Sequence, residues 1–174
     1  MNLADALNDF DGKHTDTLEA LAQHLTPDDA VIEQLCQLTD DGEVKIQTAT
    51  TWLLKRFQEL GAVFSEGQAV KLTRLLGRVN HWEARLHLLQ MLPKLTISAN
   101  QTDLLHQNLK TFLSDDNKMV RAWSYNGLAV LADQHVEFQP EVSAILTAVS
   151  PDEAASVRAR IRNIHKQMTW TTKS

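Results

Sequence analysis

The sequence of 174 residues contains one cysteine, four prolines, six glycines and one tyrosine. A single cysteine cannot form an intrachain disulfide, so a disulfide-supported fold is excluded and a reducing compartment is indicated. Strand and turn signals are thin, whereas abundant leucine, alanine, glutamine and glutamate favour helices. Cys36 lies at helical spacing from Ile32, and we expect it to be a small core residue.

Long hydrophobic runs are also missing from the sequence. No stretch approaches the 18 apolar residues of a membrane span, and the acidic start MNLADALNDFDG does not resemble a signal peptide. We therefore expect a cytoplasmic protein. At this length one domain over residues 1–174 is the default.

Charge is distributed unevenly around a net value of −5. Residues 1–60 hold 12 acids and 4 bases, near −8, whereas residues 61–174 hold 10 acids and 13 bases, near +3. A nucleic-acid-binding domain is normally more basic overall. The balance leaves room for a local cationic strip, and no more.

One segment recurs four times at nearly fixed spacing. The copies occupy residues 40–53, 80–93, 115–130 and 152–165. When Val44, Ala84, Val120 and Val157 are superposed, the steps are 40, 36 and 37 residues. A period in this range indicates stacked structural repeats.

Apolar spacing and capping signals divide the chain into four helix pairs. The predicted first helices span 27–39, 65–79, 100–113 and 140–149, and the second helices span 41–60, 81–92, 115–133 and 151–168. The corresponding repeats are 26–60, 61–93, 94–133 and 134–168, after an N-terminal cap of about 1–25 with a helix near 15–25. Thr26, Ser65 with Gln68, and Ser150 with Glu153 are the predicted capping residues.

Two of the copies resemble a known repeat. Asp115 with Val120-Arg121, and Asp152 with Val157-Arg158, are similar to the Asp…Val-Arg pattern of HEAT repeats. The resemblance covers about residues 27–168. It implies an all-α, right-handed α–α superhelix (an armadillo-like solenoid) of about four helix pairs plus an N-terminal capping helix. It also implies a structural ladder between neighbouring second helices, formed by Asp115, Arg121, Asp152 and Arg158. The other two copies depart from the pattern, with Lys45 for the arginine in the first and Val79 for the aspartate in the second.

Helical geometry places two polar registers between the buried faces of the second helices. The first is cationic and contains Lys45, Arg85, Arg121 and Arg158. It is either part of the ladder or a cationic strip for phosphate or acidic peptide. The second contains Gln47, Thr50, His87, Gln90, Trp123, Asn126, Arg160 and Asn163. This stripe is either a solvated ridge or the surface that faces a partner, because Trp and Arg are enriched among binding hot spots.

In the last copy the outer face becomes Ala159, Arg162 and Lys166, which is typical of a terminal capping repeat. We therefore expect the array to end there. The basic run Arg158, Arg160, Arg162, His165 and Lys166 is then a solvated end helix, with an anion or nucleic-acid patch as the alternative.

Signatures of catalysis and of metal binding are missing from the sequence. The seven histidines have no zinc-ligand spacing, and there is no phosphate loop or nucleophile elbow. Paired carboxylates such as Asp28 with Asp29 sit at predicted helix starts, where capping explains them. We expect no catalytic residue, no metal and no cofactor.

The sequence therefore favours a non-enzymatic scaffold or adaptor that binds a peptide or protein along the second helices. The predicted partner-binding residues are Gln47, Arg85, His87, Gln90, Arg121, Trp123, Asn126, Arg160 and Asn163. The alternative is a HEAT-like alkylpurine DNA glycosylase or DNA-binding protein with a cationic concave strip, in which Trp123, Arg121 and Asp116 would act at the lesion. A helper subunit of a tetrapyrrole-attaching lyase is a third interpretation.

Overall fold

The computed structural model describes residues 3–172, and all regular secondary structure in that range is helical. The prediction of an all-α chain is confirmed. The α-helices are α1 (Leu3–Asn8), α2 (Asp16–His24), α3 (Asp29–Asp41), α4 (Val44–Glu59), α5 (Glu66–Leu76), α6 (Trp82–Met91), α7 (Thr102–Phe112), α8 (Lys118–Gln134), α9 (Gln139–Thr147) and α10 (Ala155–Gln167). None of these helices has the length and apolar character needed to cross a bilayer. Residues 1–2 of the predicted N-terminal cap lie outside the described range.

Helix starts agree with the sequence at one capping site and differ at two. The capping box of α5 is present: Ser65 Oγ accepts from the Gln68 amide at 3.3 Å, and Gln68 Oε1 accepts from the Ser65 amide at 2.8 Å. The prediction that Thr26 caps the helix expected at 27–39 was wrong, because Asp28 accepts from the Val31 amide and α3 begins at Asp29. The last helix begins at Ala155 rather than 151, since Glu153 is engaged by Arg121.

Contacts divide the chain into two compact units, one ending at Met91 and the other beginning at Leu92. In the first unit α4 packs against α2, α3 and α6, and α5 packs against α3 and α6. Leu53, Leu54 and Phe57 of α4 are almost fully buried in this core. The interpretation of residues 1–174 as one domain of four repeats stays a prediction.

The second unit is built around α8, which packs against α7, α9 and α10. All nine residues from Ser124 to Ala132 are buried. Continuous burial requires neighbours on several sides of the helix, as the two apolar faces in the sequence predicted. Its Trp123 and Arg121 lie at the rim of this buried stretch, where they remain half-buried.

Close packing of α8 depends on Gly127. A Cβ atom at this position would lie 2.7 Å from Leu109 Cδ2 and 3.1 Å from Leu92 Cδ1. Both distances are shorter than ordinary carbon–carbon contacts, so any side chain would force its neighbours to move.

We expect Gly127→Ala to lower the free energy of unfolding by about 1–2 kcal/mol, because overpacking outweighs the better helix propensity of alanine. The matched control is Gly67→Ala in α5, where nothing lies within 4 Å of the added carbon. That variant should be neutral or more stable by up to about 1 kcal/mol. Urea unfolding of both variants is the measurement, and equal stabilities would contradict the packing role of Gly127.

Candidate functional site

Arg121 is the most completely bonded member of the cationic register. Its Nε and Nη2 atoms donate to the two Glu153 carboxylate oxygens at 3.2 and 2.8 Å, and Nη1 donates to the carbonyls of Asp115 and Asp116 at 2.8 and 3.2 Å. The hydrogen bonds between the two side chains raise the pKa of Arg121 and lower the pKa of Glu153. This guanidinium is therefore committed to holding the start of α10 against α8.

The carboxylate that pairs with Arg121 differs from the one that the repeat pattern predicted. Asp152 lies exposed in the turn before α10, where its amide donates to Ser150 Oγ at 3.2 Å. Glu153, one position further on, supplies both oxygens. Arg158, the other predicted ladder arginine, is exposed, and its side chain makes no hydrogen bond or ion pair within residues 3–172. The length of the turn before α10 determines that Glu153, and not Asp152, reaches Arg121 of α8.

The cationic register of the first unit is also occupied. Lys45 Nζ donates to the Asn8 carbonyl at 2.7 Å, which ties α4 to the end of α1. Arg85 Nη2 donates to the Val79 carbonyl at 3.2 Å, across the loop that precedes α6. Both cations thus fix a neighbouring chain segment to a second helix.

The polar stripe of the first unit points into its structure rather than onto an open surface. Gln47 is only 4% exposed, and its Oε1 accepts from the Asn80 amide at 3.1 Å. Thr50 is completely buried, and Gln90 is half-buried. The geometry therefore gives Gln47 a structural hydrogen bond where the sequence predicted contact with a partner.

His87 of α6 is held against α4 by Thr51. The Thr51 hydroxyl donates to the Gln47 carbonyl at 2.7 Å. His87 Nδ1 lies 3.1 Å from the hydroxyl oxygen of Thr51. Because the single hydroxyl proton is already used, Nδ1 carries the proton and donates to Thr51 Oγ1. Burial lowers the pKa of His87 to about 4, so the imidazole is neutral at physiological pH.

In the second unit the same stripe brings two predicted residues into direct contact. The Arg160 guanidinium of α10 lies over the Trp123 ring of α8, with 3.8 Å between Cζ and the ring centroid. Both side chains are half-buried. Arg160 has no carboxylate or carbonyl acceptor within residues 3–172, and desolvation by burial lowers its pKa. It is a stacked cation without a counter-charge.

Two asparagines flank this stacked pair. Asn126 follows Trp123 by one helical turn and is 6% exposed, yet its amide makes no hydrogen bond with the described residues. Asn163 follows Arg160 by one turn and is exposed. We call Trp123, Asn126, Arg160 and Asn163 the Trp–Arg patch. It joins an aromatic platform, a planar cation and two amides that can each donate and accept.

Other candidate groups have structural roles in the described part of the chain. Cys36 is buried, as expected, and burial raises the pKa of its thiol to about 11, so it is a poor nucleophile. Trp170 Nε1 donates to Asp133 Oδ1 at 3.0 Å. Residues 3–172 contain no group of three or more His, Cys, Asp or Glu side chains that is arranged to hold a metal ion.

Comparison with known proteins gives one match. A family model described as a HEAT repeat domain matches residues 9–168, which include all four recurring segments. Curated proteins and solved structures gave no significant match.

The bonding of Arg121 generates a stability prediction. Arg121→Ala should lower the free energy of unfolding by about 2–3 kcal/mol, since it leaves Glu153 without its charged partner. Arg158→Ala is the control, with the same loss of charge at an exposed position, and it should change stability by less than about 0.5 kcal/mol. Thermal and urea unfolding measure both values. Similar losses in the two variants would rule out a special role for the Arg121–Glu153 pair.

The lowered pKa of His87 generates a pH prediction. Between about pH 6.5 and pH 4 the unfolded chain binds a proton at His87 that the folded chain does not, so this residue makes stability fall as pH drops through that window. From pH 7 to pH 5 the loss should be about 1–2 kcal/mol. His87→Gln keeps a donor for Thr51 and should lose less on the same change. Urea unfolding at both pH values tests this, and an undiminished loss in the variant would refute it.

Proposed function

The chain belongs to the HEAT-repeat family, and on that premise we propose that it is a non-enzymatic interaction module that binds a partner protein at the Trp–Arg patch. The observation that carries the proposal is the stacked Arg160, a half-buried cation that lies on Trp123 and has no acceptor among the described residues. Leaving a partly desolvated charge unpaired costs free energy, and a partner would recover it.

The composition of the patch supports a protein-binding role. Trp and Arg are enriched among residues whose loss weakens interfaces most, because they bury large rigid surfaces and make directional hydrogen bonds. Trp123 is anchored on the buried helix α8, so the platform is rigid before a partner arrives. Rigid anchors reduce the ordering cost of association.

The nucleic-acid alternative receives less support from the side chains. A phosphate-binding strip along the second helices needs available cations on several of them, yet Lys45, Arg85 and Arg121 all donate to groups within their own units, which leaves that strip only the cations of α10 among the described residues. Asp116, the acid imagined at a lesion, contributes its carbonyl to Arg121. We therefore place DNA glycosylase-like activity second and propose no catalytic residue. We also propose a cytoplasmic location, consistent with the lone buried Cys36.

Capture of proteins from a lysate of the source cells, with wild type and Trp123→Ala compared side by side, tests the proposed site. A specific partner should be retained by wild type and depleted at least about tenfold by Trp123→Ala, as expected for a hot-spot residue. Trp82→Ala is the matched control, because Trp82 is 39% exposed on α6 of the first unit. It should retain the partner fully.

Circular dichroism and thermal unfolding establish that each tryptophan variant is folded. If the folded Trp123→Ala variant retains every protein that wild type retains, the Trp–Arg patch is not the binding site. Equal losses in both tryptophan variants would also refute the assignment.

A further inference from the structure

The last helix has a surplus of positive charge that the chain does not neutralise. Helix α10 contains Arg158, Arg160, Arg162 and Lys166 and no acidic residue. None of the four pairs with a carboxylate within residues 3–172. By contrast, Arg56 pairs with Glu19 at 2.7 Å and Arg121 pairs with Glu153 at 2.8 Å. These two arginines are neutralised by carboxylates of their own unit, whereas the cations of α10 remain open to external anions.

Arg160 differs from its three neighbours in its geometry. On a helix, Arg158 and Arg162 each lie about 200° around the axis from Arg160, so they point away from the Trp–Arg patch. Only Arg160 is stacked, with one face of its guanidinium on Trp123. Its N–H donors lie in the guanidinium plane, so a carboxylate can take two of them edge-on while the ring contact remains. Desolvation, which lowers the pKa of Arg160, also strengthens its attraction for a carboxylate.

Asn126 indicates what kind of molecule carries that carboxylate. Asn126 is 6% exposed, and its amide, which makes no hydrogen bond among the described residues, offers a donor and an acceptor that are not fully buried. A peptide group also has one donor and one acceptor, and it satisfies both halves of the amide. A phosphodiester has only acceptors, so it would leave the Asn126 oxygen unpaired.

We propose that the Trp–Arg patch takes an acidic segment of a partner protein, in which an Asp or Glu carboxylate accepts two hydrogen bonds from Arg160 and a neighbouring peptide group pairs with Asn126. This inference rests on the proposed function, since it names the chemistry of the partner at the same site. The unpaired cations Arg158, Arg162 and Lys166 increase the rate of encounter with such a segment without contacting it.

Selection from a display library of random dodecapeptides tests the inference on the full chain. Wild type, Arg160→Gln, Arg158→Gln and Trp123→Ala are used as baits in parallel. Peptides enriched on wild type and on Arg158→Gln should be net negative, and this enrichment should disappear on Arg160→Gln. Arg158→Gln is the matched control, because it removes the same charge from an exposed position of the same helix.

Synthetic versions of the strongest peptides give the quantitative measurement. Arg160→Gln should weaken their binding at least about tenfold, and Arg158→Gln less than about twofold, in fluorescence anisotropy at fixed salt. Replacing all Glu and Asp residues of the peptide by Gln and Asn should weaken its binding to wild type as much as Arg160→Gln does. The indole N–H resonance of Trp123 should shift when the acidic peptide is added.

The outcomes separate this inference from the proposed function. Enriched peptides that are neutral or basic and still depend on Trp123 would overturn the acidic partner and leave the binding site standing. If no selected peptide depends on Trp123 for binding, both the acidic partner and the binding site are overturned. A 12-nucleotide single strand that shifts the Trp123 resonance at lower concentration than the best peptide would overturn the polypeptide assignment in favour of nucleic acid.

Discussion

Burial of α4 and α8 on more than one side is the constraint from which the other features follow. Most polar side chains of a helix enclosed in this way are satisfied within the protein, because water has little access to them. In α4 the hydroxyls of Thr48, Thr50 and Thr51 donate to carbonyls of their own helix, and in α8 Ser124 does the same. These hydroxyl groups are therefore structural, whereas Trp123 lies at the rim of α8 and Asn126 of the same helix has no hydrogen bond among the described residues.

The two units use the same cationic register for one purpose with different partners. In the first unit Lys45 and Arg85 donate to carbonyls of loops and helix ends, and in the second Arg121 grips a carboxylate. The bonds of Lys45 and Arg121 join a second helix to a segment that is distant in sequence, and the bond of Arg85 joins one to the loop just before that helix. Three of the four members of this register thus position chain segments, whereas Arg158 makes no such bond among the described residues, and the residues for which we propose a binding role, Trp123 and Arg160, lie two positions further along their helices.

Much of the fold was predictable because it depends on local spacing. The period of the repeat, the helix pairs and the capping box of Ser65 follow from apolar periodicity and from side chains a few residues apart. Trp123 and Arg160, which are in contact, belong to the same polar stripe in the sequence. The burial of Gln47 and the choice of Glu153 over Asp152 were not predictable, because they depend on loop lengths and on neighbours 32 or 33 residues away. Helical periodicity gives the direction of a side chain and not what covers it.

The stacking of Arg160 on Trp123 also limits the freedom of the arginine side chain. A free arginine side chain samples many rotamers, and about 2 kcal/mol of conformational entropy is lost when all of them are frozen. The ring contact at 3.8 Å already restricts this side chain in the unoccupied protein. Part of that entropic loss has therefore been incurred during folding, and it does not have to be incurred again when the guanidinium pairs with an anion.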